Sequence, residues 1–324
     1  MMRVFVTGGA GYIGSVCVEE LLHAGHEVQV FDNLSEGHRS AVDTRARFCE
    51  GDLENRDLLF RVMGEFQPEA VIHFAGKALV PESMRNPSIY YRTNVSCGVN
   101  LLDAMVACGC KKIVFSSTCA TYGIPEKVPI DERTPQNPIN PYGHSKLVFE
   151  QILKWYETVH GVVFTALRYF NAAGASKQFG EHHRIETHLI PNVLKVALGQ
   201  AEHVTVFGDK YPTPDGTCIR DYIHLVDLAS AHILALNRTQ SGAYNVGTGE
   251  GYSVLQVVET ARKITGHSIP VKIMDGRPGD PPRLVAKENK LRNELGWKPK
   301  YEKLADIVGS AWAWHQAHPE GYPD

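Results

Sequence analysis

Tyr142 and Lys146 stand four residues apart in NPYGHSK (140–146), ahead of an amphipathic run, LVFEQILKWYE. On a helix that spacing puts both side chains on one face. Pro138 and Pro141 suit a helix start. A free phenol titrates near ~10 and is a poor base at neutral pH; bringing it to ~7 takes about 4 kcal/mol of preference for the phenolate. An adjacent ammonium and a cationic ring in a poorly solvated site could together supply that preference. Upstream, SSTCATYG (116–123) crowds hydroxyls at the end of an apolar run, KKIVF, and holds no carboxylate. Such an edge can donate hydrogen bonds to a reacting oxygen but offers no carboxylic acid or base.

A second constellation opens the chain. TGGAGYIG (7–14) follows a short apolar run and leads into YIGSVCVEELLHAG, with Gly8, Gly11 and Gly14 spaced GxxGxxG. A side chain at the first two would keep a pyrophosphate from the backbone amides, and the third lets helix and strand approach closely. The helix N-terminus adds partial positive charge. Asp32 closes the next apolar run, EVQVFD. There a carboxylate binds both ribose hydroxyls and repels a 2′-phosphate, which favours NAD over NADP. Asp52 ends a third run and is either an adenine contact or a solvated turn residue.

These groups need a scaffold. MRVFVTG, EVQVFD, ARFCEGD, AVIHFAG and KKIVFSS are short apolar runs separated by helix-length segments, and VVFTALRYF (162–170) reads as a sixth. The alternation predicts an α/β fold: a Rossmann-type doubly wound parallel sheet with a smaller mixed α/β substrate-binding lobe. The expected division is 1–174 for the dinucleotide domain, with 222–247 returning to it, and 175–221 with 248–324 for the lobe. RPGDPP (277–282) reads as a loop between the two.

With 43% hydrophobic and 21% charged residues among 324, the chain can bury a sizeable core. A formal net charge of −3 without runs of one sign gives no push toward nucleic acid or an acidic membrane surface. No stretch approaches the ~18–20 apolar residues of a membrane span. MMRVFVTGG lacks the basic flank and long apolar segment of a signal peptide. Seven scattered cysteines without CxxC read as reduced thiols in the cytoplasm. The histidines at 182, 183 and 188 lack HxH or HExxH spacing, so a solvated loop and no metal are expected.

TGGAGYIG, the Tyr142–Lys146 pair and the hydroxyl-rich strand end together resemble the extended short-chain dehydrogenase/reductase family. RYFNAAGA (168–175), TPDGTCIRDYIHLVDLA (213–229), YNVGTG (244–249) and HPEGYPD narrow the likeness to its UDP-sugar 4-epimerase branch, over nearly the whole chain. The resemblance implies bound NAD, a UDP-hexose substrate, and interconversion of UDP-glucose and UDP-galactose by oxidation at carbon 4, turning of the 4-keto sugar, and hydride return to its other face. Dehydratases and decarboxylases of the superfamily need an acid beside the catalytic threonine. Here Thr118 is followed by Cys119, Ala120 and Thr121.

The resemblance also assigns roles. Tyr142 would be the base, Lys146 would lower its pKa and hold the nicotinamide ribose, and Thr118 would bond the same sugar oxygen. The cofactor would be lined by Gly8, Gly11, Tyr12, Ile13, Gly14, Asp32, Asn33, Asp52, Leu53, Phe74, Ala75, Lys77, Asn94, Ser116 and Tyr169. Asn171, His188 and Leu189 would face the sugar nucleotide. Arg220 and Arg277 would clamp the diphosphate, where a guanidinium fork suits phosphate oxygens. The alternative for these arginines is surface pairing with Asp215, Asp221 or Asp280. Asp280 would hold the uridine ribose, and Tyr222 and Phe207 would shape the nucleotide pocket. Lys77 sits one position early against the family pattern. His188 stands where relatives carry Asn. Leu284 is intermediate between a bulky Tyr and a small residue, which keeps N-acetylhexosamine and pentose substrates open. A homodimer through helices near 87–108 and 142–159 is a further expectation. A non-catalytic NAD sensor is the rival of another class, though such proteins tend to lose the Tyr–Lys pair that this chain keeps.

Overall fold

The computed structural model describes residues 1–277, 280–287 and 289–324. Its first half runs β1 (Arg3–Thr7), α1 (Tyr12–His23), β2 (Glu27–Asp32), β3 (Arg47–Glu50), α2 (Arg56–Phe66), β4 (Ala70–His73), α3 (Val80–Arg85), α4 (Pro87–Tyr91), α5 (Cys97–Ala107), β5 (Lys112–Thr118), α6 (Pro141–His160) and β6 (Val163–Tyr169). There follow β7 (Asn171–Ala173), α7 (Leu189–Ala197), β8 (Val204–Phe207), β9 (Ile219–His224), α8 (Leu225–Ala235) and β10 (Gly242–Val246). The chain closes with β11 (Gly251–Ser253), α9 (Val254–Thr265), β12 (Val271–Met274), β13 (Arg283–Leu284), α10 (Asn289–Leu295) and α11 (Leu304–Ala317).

Seven strands form the main sheet in the order β10-β6-β5-β4-β1-β2-β3, every neighbouring pair parallel. This is the Rossmann-type arrangement expected from the alternating runs. Successive side chains of a strand point to opposite faces. In β1, Val4 and Val6 therefore enter one core with Val28, Val30 and α1, while Phe5 enters the other with Phe31, Val71 and α5. Covering both faces is why these strands read as continuous apolar runs. The strand order reverses between β1 and β4, and the crevice at such a switch point is where α/β sheets bind ligands. Backbone bonds from Phe74 N and Ala75 N to Thr7 O, at 2.9 and 3.1 Å, close the floor of that crevice.

α6 is seated by a ring in a notch. A Cβ on Gly98 of α5 would lie 2.4 Å from Phe149 Cε2, so only glycine admits the fully buried Phe149. Burial of that ring fixes the helix that carries Tyr142 and Lys146.

The second lobe holds a small sheet, β11-β9-β13 with β7 paired to β9, and a β12–β8 ribbon. Its own core collects residues of α7, α9 and α11. Of the return expected over 222–247, residues 222–224 stay in β9 of the small sheet, because Tyr222 to His224 pair with β7. The crossing is made by α8, packed beside α1, and by β10. Pro278 and Gly279 of the RPGDPP loop lie outside the described residues. Among the described residues no helix is long and apolar enough to cross a membrane.

Candidate active site

The glycine turn is built as a cradle. Gly8 has φ +73°, and a Cβ there would lie 2.5 Å from Ala75 N. A Cβ on Gly14 would lie 2.1 Å from Gly8 O, so glycine is what lets α1 start directly behind the turn. Gly11 differs: a Cβ there would meet protein only at Gly8 O, 3.4 Å away. Its missing side chain leaves room in front of the first turn of α1, whose Tyr12 and Ile13 amides have no side-chain cap. An anion in front of that turn would meet free donors and the positive helix end.

Asp32 closes the crevice's far side. Its Oδ2 accepts from Ala10 N at 3.0 Å and its Oδ1 from Leu34 N at 2.8 Å. Burial pushes the carboxyl up, against those two amide bonds. Asn33 donates to Asp52 Oδ2 at 2.6 Å, which ties the two strand ends together. Asp52 is thus held by a side chain and by Glu54 N rather than left as a free turn residue. Lys77 pairs with Glu36 in the loop after β2, across the crevice mouth. Asn94 clasps the Lys77 backbone at both N and O (2.8 and 3.0 Å) and donates to Ser145 Oγ on α6 at 2.9 Å. Of the other expected cofactor residues, Leu53 and Tyr169 have their side chains in the core. Leu53 is packed among α2 and α5 residues, and the Tyr169 hydroxyl meets His232 of α8.

Asn140 caps α6 through a 2.8 Å bond from Gly143 N, and Pro141 fills the first helical position. That start brings Tyr142 and Lys146 to the end of β5. Lys146 is only 4% exposed. Its Nζ donates to Ser116 O at 2.9 Å and lies 5.0 Å from the Phe115 ring centroid. Burial pulls its pKa down to about 8. His73 below it, bonded to Thr7 Oγ1 at 2.7 Å, is held down at about 3 by burial and by the Lys146 charge.

Tyr142 is partly exposed along its ring, but its hydroxyl end is enclosed. Burial pushes it up to about 12, opposed by hydrogen bonding to the Thr118 hydroxyl. The Lys146 ammonium is turned onto Ser116 O, and the expected pair of causes for a lowered phenol includes a cationic ring that the crevice would have to hold.

The support behind this edge was not read from the sequence. Glu150, one turn beyond Lys146, accepts from Arg168 Nε and Nη2 of β6 at 3.0 and 2.6 Å. It also accepts from Ser117 Oγ, next to Thr118, at 2.5 Å. Arg168 continues to the Tyr122 hydroxyl at 2.8 Å, and Tyr122 donates to Asn245 of β10 at 2.7 Å. The signal was present: an arginine inside the apolar strand ALRYF must find a buried partner.

Facing this edge, β9 presents Arg220, whose Nη2 meets Asp280 Oδ1 at 2.5 Å and whose Nη1 donates to Pro281 O at 2.9 Å. In the protein by itself, then, one expected phosphate clamp pairs with the expected ribose ligand, with the Arg220 side chain only 13% exposed. Arg277 lies over the Phe207 ring at 3.9 Å. It helps line a cavity of about 560 Å³ with Tyr211 and Met274. The Tyr222 ring is buried in the lobe's core, and Asn171 stands opposite it in β7. Leu284 packs beside Cys119, Tyr122 and Phe170, on the flank of the Thr118 edge. Asp221, a candidate arginine partner, instead accepts from Thr248 N, Gly249 N and Ala286 N at 2.8, 3.0 and 3.1 Å.

His188 caps α7 with Leu189 behind it, and its ring contacts Glu181. The solvated loop expected there is corrected: Glu181 is 4% exposed, and His183 packs edge-on against Tyr12 at 5.7 Å. The segment folds over the start of α1, and Arg184 donates to Ser35 O and Leu34 O at 3.1 and 3.2 Å.

Three comparisons bear on this geometry. The pattern of the NAD dependent epimerase/dehydratase family matches residues 4–247. A UDP-glucose 4-epimerase of Lactobacillus helveticus is 50% identical over 329 residues, covering 100% of both chains. A crystal structure of a UDP-glucose 4-epimerase superposes with TM-score 0.97 at 46% identity, over 99% of this chain and 100% of that one. The Bifidobacterium longum UDP-glucose 4-epimerase, solved with NAD+ and UDP, superposes with TM-score 0.95 at 40% identity, over 99% and 100%.

Proposed function

The chain belongs to the NAD-dependent epimerase/dehydratase family, and from that membership we propose that it interconverts UDP-glucose and UDP-galactose by inverting carbon 4 of the sugar. The observation that carries this reading is the edge itself. Thr118 closes β5, Lys146 Nζ reaches the Ser116 carbonyl of the same strand, and the Tyr142 phenol stands at the Thr118 hydroxyl. The nearby carboxylate of Glu150 is taken up by Arg168 and Ser117.

NAD, when bound, supplies a hydride acceptor and donor at carbon 4. The crevice fits it: the space before Gly11, the uncapped first turn of α1, and Asp32 for the adenosine ribose. Tyr142 takes the proton of the carbon-4 hydroxyl on its phenolic oxygen and later returns it. The Thr118 hydroxyl donates to the same sugar oxygen and fixes its place. Lys146 holds a positive charge in a nearly dry setting, where it acts with the cofactor's own charge to favour the phenolate. Thr118 is followed by Cys119, Ala120 and Thr121, so this edge carries no acid of its own to withdraw a proton from carbon 5 or expel a group from carbon 6. The 4-keto sugar is left free to turn and to be reduced on its other face.

The second lobe would hold the uridine diphosphate while the sugar turns. Arg220 would exchange Asp280 for a diphosphate oxygen, freeing Asp280 for the uridine ribose. Arg277, Phe207 and Tyr222 would form the nucleotide pocket, and Asn171, His188 and Leu189 would border it. A second reading, in which the site also takes N-acetylhexosamine or pentose nucleotides, draws on Leu284, which is smaller than an aromatic ring beside Cys119 and Phe170.

We further infer a homodimer through α5 and α6. The outer end of α6 leaves Trp155 69% and Val159 66% exposed, a cost a partner would remove. All seven cysteines are free, as suits the cytoplasm.

The deciding experiment incubates purified chain with UDP-galactose, without added cofactor, and identifies the products. UDP-glucose is expected. A 4-keto-6-deoxy product would make it a dehydratase, and bound NAD with no turnover of any UDP-sugar would favour a sensor.

A further inference from the structure

We propose that Glu181, His183, Glu186 and His188 form a binding site for a divalent transition-metal ion of the zinc type. The four residues come from one stretch, EHHRIETH (181–188), that leads into α7. Their candidate ligand atoms all lie within 4.8 Å of one another. Zinc ligands at ~2.0–2.2 Å in a tetrahedron are separated from each other by roughly 3.4 Å. Closing on an ion therefore needs only a modest contraction of side chains.

The two imidazoles already aim at one place. His183 Nε2 stands 3.2 Å from Glu181 Oε1, and His188 Nδ1 contacts the same oxygen. The His183 ring is held edge-on between Tyr12, at 5.7 Å, and His188, at 5.1 Å. Tyr12 is itself fixed by its hydroxyl bond to Gly174 O at 2.7 Å. Ring orientation is thus set by packing before any ion arrives, as a metal site requires. His188 N donates to Glu186 Oε1 at 2.8 Å, which leaves the other oxygen of that carboxylate for a ligand.

Charge points the same way. Glu181 is nearly fully buried, and among the described residues its ion-pair partners are histidines alone, with no lysine or arginine. Two carboxylates beside two imidazoles, with no lysine or arginine paired to them among the described residues, suit a divalent ion. The positive end of α7 opposes this with about half a charge, which two contacting carboxylates outweigh. Two nitrogens and two oxygens suit zinc, cobalt or ferrous iron. Calcium and magnesium prefer all-oxygen shells.

The site would tie the start of α7, in the second lobe, to Tyr12 at the start of α1. Arg184, within the same stretch, already reaches the loop after β2. An ion here would fasten one side of the crevice to the other at a distance from the reacting edge.

The test uses tag-free protein, stripped with a chelator and titrated with Co²⁺ alone, followed by competition with Zn²⁺. One Co²⁺ per chain, the visible absorption of a tetrahedral nitrogen–oxygen site, displacement by Zn²⁺ and a raised unfolding temperature are expected. His183→Ala and His188→Asn should each weaken Co²⁺ binding at least as much as loss of an outer-shell partner does, about 10–100-fold. His188→Asn puts a favoured N-cap residue at the start of α7, where His188 makes no side-chain cap bond, so it decides the matter if His183→Ala does not fold. Failure of the parent chain to take up stoichiometric Co²⁺ overturns the proposal. So does uptake unchanged in the folded variants.

Discussion

Thr118, Tyr142 and Lys146 stand at the rigid end of the seven-stranded sheet, whereas Arg220, Arg277, Asp280 and His188 stand on a lobe of short strands and loops. At the first region the polar groups are few, enclosed and held by a buried network. At the second they are charged and engaged locally in the protein alone: Arg220 with Asp280, Arg277 over Phe207 and His188 with Glu181. The contrast follows from what each must do. Proton removal at one oxygen needs a phenol, a hydroxyl and an ammonium held in place, with pKa values set by burial. Gripping a nucleotide diphosphate needs charges that can change partners, and a guanidinium fork such as that of Arg220 fits a phosphate as well as a carboxylate.

The sharpest way to break this contrast is Tyr142→Phe. Removing one oxygen from the enclosed edge should lower interconversion of UDP-glucose and UDP-galactose by about 10²–10⁴-fold. Bound dinucleotide, measured by absorbance after denaturation, should stay at its parent level.

Next is the support behind the edge. Glu150→Ala leaves Arg168 buried without its carboxylate, which should cost about 3–5 kcal/mol in urea unfolding. A loss below ~1 kcal/mol, the size of an exposed pair, would mean that the network does not stiffen the edge.

The Lys146 ammonium should carry a penalty of its own. Its depression from 10.5 to about 8 by burial corresponds to about 3 kcal/mol against the charged form. Between those values the unfolded chain binds more protons than the folded one, so stability rises with pH across that window. Compared in the same dinucleotide-free state, the parent should gain about 3 kcal/mol on Lys146→Met as pH moves from 8 to 10.5. A pH-independent difference would show the amine to be well solvated.

The smallest change is expected on the lobe. Arg220→Ala should raise KM for UDP-galactose about 10–150-fold, as loss of a charged hydrogen bond worth ~1.5–3 kcal/mol implies. An unchanged KM would remove Arg220 from the clamp.

How much was legible in the sequence follows the same divide. The glycine turn, Asp32 and the Tyr142–Lys146 pair depend on local spacing, and a strand or helix period projects them directly. Partners far apart in the chain do not announce each other: Glu150 meets Arg168 across 18 residues, and Tyr122 meets Asn245 across 123. Electrostatics was harder still. Tyr142 and Lys146 share a helix face, yet the ammonium turns onto Ser116 O, a carbonyl with no side-chain signature. EHHRIETH has the composition of a surface loop. Its burial of Glu181 comes from folding across Tyr12, which is 169 residues earlier in the chain. Within 222–247, Tyr222 to His224 pair with β7 in the small sheet, a long-range choice that strand propensity does not announce.

The central claim is that an edge without an acid returns the same hydrogen it removes. The direct measurement uses UDP-galactose carrying deuterium at carbon 4, in ordinary water and without added cofactor. The expected product is UDP-glucose that keeps the deuterium at carbon 4. Product that has exchanged this deuterium with solvent, or a deoxygenated 4-keto sugar, would contradict it.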